Sequence, residues 1–353
     1  MKKLRIGLVG AGNIANAHLK AYKKLDNVEI AAICDINADR MKETADIFGI
    51  EKRYASETEM LAAEQLDAAD VCVWNCNHAK CTIEALDAGL HVLCEKPMAM
   101  NVQEAEDMLA AAKRNDRLLM IGFVLRFDPE SLITKDFIDN GYLGDIYYSK
   151  ATYLRRHGSP GGWFSNKKLS GGGPVIDLGV HVIDLTRCLM GNPKPLTVTA
   201  VTSDKLKDRK YLKTDVGWKP KDAKPDDIFN VEDFATAMIR YEGGKTTLLE
   251  TSYSLNGEEK TEKQFFGDKG GIKIDGQGMK IFTEMNGYLA DVTPKTENYK
   301  FSTDMFEAEM AHFADCIQNG TKCIAPAEDG VMIMKILDAI YESAKTGHEV
   351  VVK

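Results

Sequence analysis

Through the first third of the chain, short apolar runs alternate with stretches of helical period. Arg5 to Val9, Val28 to Cys34, Ala69 to Val73, His91 to Leu93 and Leu118 to Gly122 are predicted strands. Between them, Asn13 to Lys24, Ala38 to Phe48, Ala79 to Ala88 and Val102 to Asn115 repeat apolar positions at helical spacing, which predicts amphipathic helices covering the faces of a sheet. Such alternation is the sequence form of repeated βαβ units, hence of a doubly wound α/β fold with a parallel sheet.

After Phe123 the pattern changes. A predicted helix from Pro129 to Asn140 leads into a strand from Ile146 to Arg155, a glycine-rich loop and another helix. Leu196 to Ser203, Asp233 to Tyr241, Thr246 to Ser254, Lys263 to Gly267, Gly271 to Asp275 and Met279 to Thr283 then alternate in polarity. They turn at Gly243-Gly244 and Gly270-Gly271, as antiparallel ribbons do. Helices at Asp304 to Asn319 and Glu328 to Lys345 precede a short apolar run at Glu349 to Val352, and the Lys-, Asp- and Pro-rich stretch from Asp204 to Asp227 reads as an exposed excursion.

A chain of 353 residues is long enough for two cores. Its net charge of -8, with no basic run, excludes a nucleic-acid surface and leaves small-molecule chemistry. No segment has the length of uninterrupted apolar residues needed to span a bilayer. Lys2-Lys3 and the following apolar run imitate a secretory leader, but Asn13, Asn16 and His18 break it, and the same residues form a better strand and glycine turn. The eight cysteines form no paired CxxC elements, so no metal site is expected; free buried thiols suit a reducing cytoplasm.

Gly10-Ala11-Gly12-Asn13-Ile14-Ala15 closes a predicted strand and opens a predicted helix. In that context GxGxxA is a dinucleotide fingerprint. Gly10 permits the turn, Gly12 lets backbone approach a pyrophosphate, the free amides at Asn13 and Ile14 face it, and Ala15 lets helix and strand pack closely. A glycine turn without a ligand is the alternative. About 25 residues on, Asp35 stands at the end of the second strand, placed to accept hydrogen bonds from ribose hydroxyls and to repel a 2'-phosphate. Asn37 and Arg40 flank it. With no arginine adjacent, NAD is expected rather than NADP, and Asp35 is also a candidate helix cap. The first domain is therefore expected to be a Rossmann domain over residues 1–123. The second, over 124–353, is expected to be α+β, with a large, open, mostly antiparallel sheet that binds substrate and associates.

Two further motifs, Gly89-Leu90-His91-Val92-Leu93-Cys94-Glu95-Lys96-Pro97 and Gly171-Gly172-Gly173-Pro174-Val175-Ile176-Asp177-Leu178-Gly179-Val180-His181-Val182-Ile183-Asp184, follow the fingerprint in order. With Gly122-Phe123, Arg126-Phe127 and Pro326-Ala327-Glu328-Asp329-Gly330, they make the chain resemble the Gfo/Idh/MocA family, the glucose-fructose oxidoreductase and inositol dehydrogenase group. The resemblance spans nearly the whole chain. It implies a cytoplasmic homodimer or homotetramer, associating through the open sheet face, in which Lys96 lies beside the nicotinamide and the substrate hydroxyl. Glu95 and Arg126 join the cofactor set. From this family the row Asn75-Cys76-Asn77-His78-Ala79-Lys80 departs: Asn75 and Asn77 remain cofactor candidates, Cys76 stands where proline is usual, and Lys80 where histidine is usual.

Asp177 and His181 are four apart and Asp184 three further, so one predicted helix carries all three on a face. A lone histidine there is ordinarily a core hydrogen-bonder; aligned with two carboxylates and a Lys-Pro element, His181 reads as a catalytic base. Lys96, Asp177 and His181 are the catalytic candidates. Arg156, Trp163, Asp184 and Tyr253, with Arg155 and His157 nearby, are candidates for sugar hydroxyls. The reading is an NAD-dependent oxidoreductase acting on a secondary alcohol of a sugar, inositol or related polyol. An NAD-dependent glycosidase and a non-catalytic dinucleotide-binding regulator are the alternatives on the same scaffold.

Overall fold

The computed structural model describes residues 3–207, 209, 212, 219–220, 223–224, 226–295 and 304–353. The chain divides into two compact units, one running to Phe127 and taking up residues as far as Val331 after a late return, the other holding the remainder from Asp128. An expected boundary at 123/124 leaves out that return.

The first unit runs β1 (Leu4–Val9), α1 (Asn13–Tyr22), β2 (Val28–Cys34), α2 (Ala38–Phe48), β3 (Arg53–Tyr54), α3 (Glu57–Ala63), β4 (Ala68–Val71), α4 (Asn75–Asp87), β5 (His91–Glu95), α5 (Val102–Arg114) and β6 (Leu119–Gly122). All strand pairs are parallel and the order is β3-β2-β1-β4-β5-β6. The direction of winding reverses between β1 and β4, and crevices at such a switch, outside the carboxyl ends of the strands, are where doubly wound sheets bind ligands. Strands covered on both faces must be apolar throughout. Accordingly Ile6, Leu8, Ile33 and Leu93 are fully buried, each contributing roughly 1.5–3 kcal/mol relative to an exposed side chain. Ala15, as its small size suggested, sits in a buried cluster with Leu8, Leu19 and Ile33.

The second unit runs α6 (Pro129–Asp139), β7 (Ile146–Leu154), α7 (Lys167–Ser170), a π turn (Val175–Gly179), α8 (Val180–Leu189), β8 (Pro195–Ser203), β9 (Phe234–Tyr241), β10 (Thr246–Ser252), β11 (Lys260–Gly267), β12 (Gly271–Asp275), β13 (Gly278–Met285) and β14 (Tyr288–Val292). In chain order there follow α9 (Met305–Asn319), which belongs to the first unit, α10 (Ala327–Thr346), most of which belongs to the second, and β15 (Val350–Val351). The nine-stranded sheet has the order β14-β13-β12-β11-β7-β10-β9-β8-β15. It is antiparallel except where β7 pairs with β10. Ser149, Ala151, Phe265, Leu249, Ile239, Val198 and Ile272 alternate onto one buried face, against which α8 packs. The expected excursion from Asp204 to Asp227 falls largely outside the described residues.

Candidate active site

In the first unit the glycine loop follows β1 directly. Gly10 has φ +99°, and a Cβ there would stand 2.4 Å from the Cys72 carbonyl oxygen, so the turn itself requires glycine. Gly12 differs. Its φ is -74°, and a Cβ would meet no atom of the described residues within 4 Å. The fold does not demand glycine at that position. Open space above the amino end of α1, which has no side-chain cap and no acidic residue in its first turn, is what a pyrophosphate needs. Asp35 accepts from Ala11 N–H at 2.7 Å through Oδ2 and from Asn37 N–H at 2.7 Å through Oδ1, tying the loop to the end of β2. The cap of α2 is Asn37, which accepts from Arg40 N–H at 3.0 Å; the capping alternative for Asp35 is thereby corrected.

Lys96 follows β5 and is positioned from below. Glu95 Oε2 accepts from Lys96 N–H at 3.0 Å, while Glu95 Oε1 lies 3.1 Å from His18 Nε2. The other ring nitrogen, Nδ1, is 2.9 Å from Asp70 Oδ2. Burial pulls the His18 pKa down, but Asp70 and Cys72 outweigh it and hold the ring well above its ordinary value. An imidazolium donates from both nitrogens, which is what two carboxyl partners require. His78 fixes the same turn from the side: its Nδ1 is 2.6 Å from the Pro97 carbonyl and its Nε2 3.1 Å from that of Val73. Burial lowers its pKa, so the ring is neutral and donates to one carbonyl at a time, the closer being that of Pro97. The helix carrying His78 begins at Asn75, four residues before the predicted start, so Asn75, buried, and Asn77 occupy its first turn. His78 is thus the buried histidine of this row, while Lys80 is exposed.

Glu309 on α9 completes the buried group, with both carboxylate oxygens lacking a hydrogen-bond partner. Burial, and then the proximity of Glu95, push its pKa well above the ordinary carboxyl range. Below about pH 4 both folded and unfolded chains keep this proton. Above that, only the unfolded chain releases it, so stability falls as pH climbs towards the raised folded value. Glu309→Gln keeps the neutral form at every pH. Its unfolding midpoint is therefore expected to match wild type near pH 4 and to exceed it increasingly up to pH 8, by about 2–4 °C per kcal/mol recovered. Calorimetry across that range checks it, and a variant that loses stability relative to wild type on going to pH 8 refutes it.

In the second unit the glycine-rich loop turns into the helix that carries Asp177 and His181. Its start is a π turn, closed by Val180 N–H to the Val175 carbonyl, rather than the α turn expected after Pro174. Such wide turns recur at functional sites. Asp177 lies in the π turn and accepts from the Tyr253 hydroxyl at 2.9 Å. Tyr253 is therefore fully buried as the support of Asp177. His181 sits in the next turn, half-buried, whereas Asp184 is 1% exposed and closed off from solvent. Glu232 holds the loop: its carboxylate accepts from Gly173 N–H at 2.9 Å, from Val175 N–H at 3.2 Å and from the Tyr341 hydroxyl at 2.9 Å. Burial raises its pKa, while those donors work against the rise.

Arg155 stacks on the Tyr153 ring, 5.1 Å from its centroid, and both line a cavity of about 920 Å³ with His157, Glu259, Glu262 and Lys273. His157 pairs with Glu259 at 2.8 Å. Arg156 is exposed, and Trp163 stacks on Phe164 with centroids 3.9 Å apart. In the first unit, Arg126 is buried, its guanidinium donating to the Ile324 carbonyl and to Asp329. Residue types alone gave no reason to single out His78, Glu232 and Glu309. His18 did carry a signal, since it shares the buried face of α1 with Ala15, Leu19 and Tyr22.

Parallel sheet, glycine loop and attached mixed sheet define a dinucleotide-binding α/β protein with a second, sheet-based unit. Residues 4–123 match an oxidoreductase family described as an NAD-binding Rossmann fold, and residues 135–352 match that family's C-terminal alpha/beta domain. The chain belongs to the Gfo/Idh/MocA oxidoreductase family, and its cofactor is NAD. It is 33% identical over 352 residues to the D-glucoside 3-dehydrogenase of Escherichia coli (strain K12), covering 98% of this chain and 97% of that one. It is 26% identical to the myo-inositol 2-dehydrogenase of Thermotoga maritima, covering 94% and 93% of the two chains. The crystal structure of an aldose-aldose oxidoreductase from Caulobacter crescentus superposes with a TM-score of 0.82 at 27% identity, over 99% of this chain and 100% of that one.

Proposed function

We propose that the protein oxidises a secondary alcohol of a sugar or related polyol with NAD+, or runs the reverse reduction. The observation that carries this reading is the Asp177–His181 pair, one helical turn apart, with Asp177 fixed by Tyr253. A dinucleotide sensor needs no proton acceptor, and the named relatives act on glucosides and inositol. Gly12, the uncapped start of α1, Asp35, Asn37 and Arg40 would hold the adenosine and pyrophosphate part of NAD, with Asn75, Asn77 and Glu95 completing the cofactor set; Arg126, buried and paired with Asp329, is left to a structural role. Bound NAD+ supplies the acceptor for the hydride that leaves the alcohol carbon. His181 takes the hydroxyl proton, and the Lys96 ammonium is assigned to stabilising developing negative charge. Asp177 receives a neighbouring substrate hydroxyl, while Arg156 and Trp163 complete substrate recognition; the burial of Asp184 removes it from that set.

The division at 123/124 separates cofactor binding from substrate binding in this reading. The open sheet face, where Tyr148 stacks on Phe266 with centroids 5.1 Å apart, receives a second copy of the chain, giving a dimer or tetramer in a reducing cytoplasm; light scattering checks the assembly. A panel of sugars, glycosides and polyols with NAD+, read at the nicotinamide absorbance, tests the function. Net NADH formation with at least one is expected. Release of an aglycone without net NADH would assign the glycosidase chemistry instead.

A further inference from the structure

The half-buried group formed by His312, Cys316 and Cys323 lies in the first unit and includes no residue of the glycine loop or of the turn at Lys96. His312 and Cys316 are four apart on α9 and so share a face. Cys323 follows the αL cap at Gly320, whose φ of +70° turns the chain back on the helix. The spacing, His-x3-Cys-x6-Cys, is outside the paired-cysteine pattern by which zinc sites are read from sequence, so only the turn brings the three together. Their ligating atoms all lie within 4.8 Å of one another, and His312 Nε2 is already 3.3 Å from Cys316 Sγ. In a tetrahedral zinc shell, with bonds of about 2.0–2.1 Å to nitrogen and about 2.3 Å to sulfur, ligand atoms stand roughly 3.3–3.8 Å apart. Closing the group around an ion needs a movement of no more than about 1 Å.

We propose that His312, Cys316 and Cys323 form a three-ligand site for a thiophilic divalent cation, zinc being the ion that fits, with water at the fourth position. Nε2 accepts from Ile324 N–H at 3.1 Å, so the ring proton resides on Nδ1; an ion bound at Nε2 displaces that N–H from the lone pair, and the amide of the exposed Ile324 turns to water. Binding replaces two S–H protons with two metal–sulfur bonds and releases both protons to solvent.

The ion would fasten α9 to a segment that already carries weight in the first unit. Ile324 gives its carbonyl to Arg126, Ala325 accepts from Ile121 N–H at 3.0 Å, and Pro326 bridges to Met120. Phe127, next to Arg126, packs on the His312 ring with centroids 5.5 Å apart. The other soft cluster, His18, Asp70 and Cys72, is wholly buried, and both nitrogens of its histidine are engaged by carboxylates. It offers an ion neither a route in nor a lone pair.

Titration of the reduced full-length protein with Co2+ tests the site. Expected are a sulfur-to-cobalt charge-transfer band and tetrahedral visible bands that saturate at about one ion per chain, release of about two protons, and displacement by Zn2+. The Cys316→Ser/Cys323→Ser double variant is expected to lose the charge-transfer band, and His312→Gln to weaken binding about tenfold or more, both with wild-type circular dichroism. Zn2+ is expected to raise the unfolding midpoint of wild type but not of the double variant. Should the double variant misfold, His312→Gln alone decides, because an unshifted spectrum and affinity there remove the histidine from the site. Absence of the band from wild type, or its survival in the folded double variant, overturns the proposal.

Discussion

His181→Asn is expected to lower kcat by about 10²–10⁴-fold, the usual contribution of a positioned general base. Asparagine retains a polar side chain of similar reach but accepts no proton at neutral pH. The proton of the substrate hydroxyl must then leave to solvent as the carbonyl forms. The substitution touches neither the glycine loop nor Glu232, which holds the start of this helix through Gly173 and Val175. NADH affinity, read by nicotinamide fluorescence, and the unfolding midpoint are therefore expected to stay at wild-type values. Because the loss belongs to proton transfer, it should appear in kcat with little change in KM, and it should shrink as pH rises and hydroxide takes over. Turnover within tenfold of wild type at neutral pH would mean that another group removes the proton, and His181 would revert to a structural histidine.

Gly10→Ala is expected to be the most damaging small substitution in the first unit, and its neighbour supplies the control. A Cβ at Gly10 would sit 2.4 Å from the Cys72 carbonyl oxygen, on a backbone whose φ of +99° L-residues avoid. Strained φ costs of order 1–3 kcal/mol, and displacing the backbone at Cys72, just after β4, adds to that, giving about 3–5 kcal/mol in all. The midpoint of the first unit is expected to fall by roughly 6–20 °C. At Gly12 the same methyl group meets nothing, and φ is already ordinary. Gly12→Ala is accordingly expected to keep stability within about 1 kcal/mol. It should nevertheless weaken NADH tenfold or more, because the methyl occupies the space that the pyrophosphate would fill. Calorimetry and fluorescence titration on the pair separate the two roles. Equal stability of Gly10→Ala and wild type would contradict the turn geometry, and unchanged NADH affinity in Gly12→Ala would remove the loop from the cofactor site.

Elements with several full periods were legible to the residue. The bounds of β2, α2 and β12 match the periodicity because seven, eleven and five residues of consistent pattern leave no freedom of register. β3 and α3 were not legible, since two residues contain no period and seven barely two turns. β14 escaped for another reason. Tyr288 and Leu289 are both largely exposed, so this edge strand has no buried face to impose alternation. α4 was read four residues late because its first turn, Asn-Cys-Asn-His, presents polar side chains where periodicity looks for apolar ones.

The fingerprint at Gly10 and Gly12, the acid at Asp35, the lysine at a strand end and the spacing from Asp177 to His181 are properties of local sequence, because each depends on residues a few positions apart within one element and its following turn. The supports of those residues are not local. His18 meets Glu95 across 77 positions, Tyr253 reaches Asp177 across 76, and Glu232 closes the glycine loop from 59 positions away. Hydrogen bonds of that kind are chosen by the packing of strands and helices already formed, and a buried polar side chain takes whatever partner the fold delivers. Local sequence therefore proposed the groups for the chemistry, and tertiary structure alone decided what surrounds them.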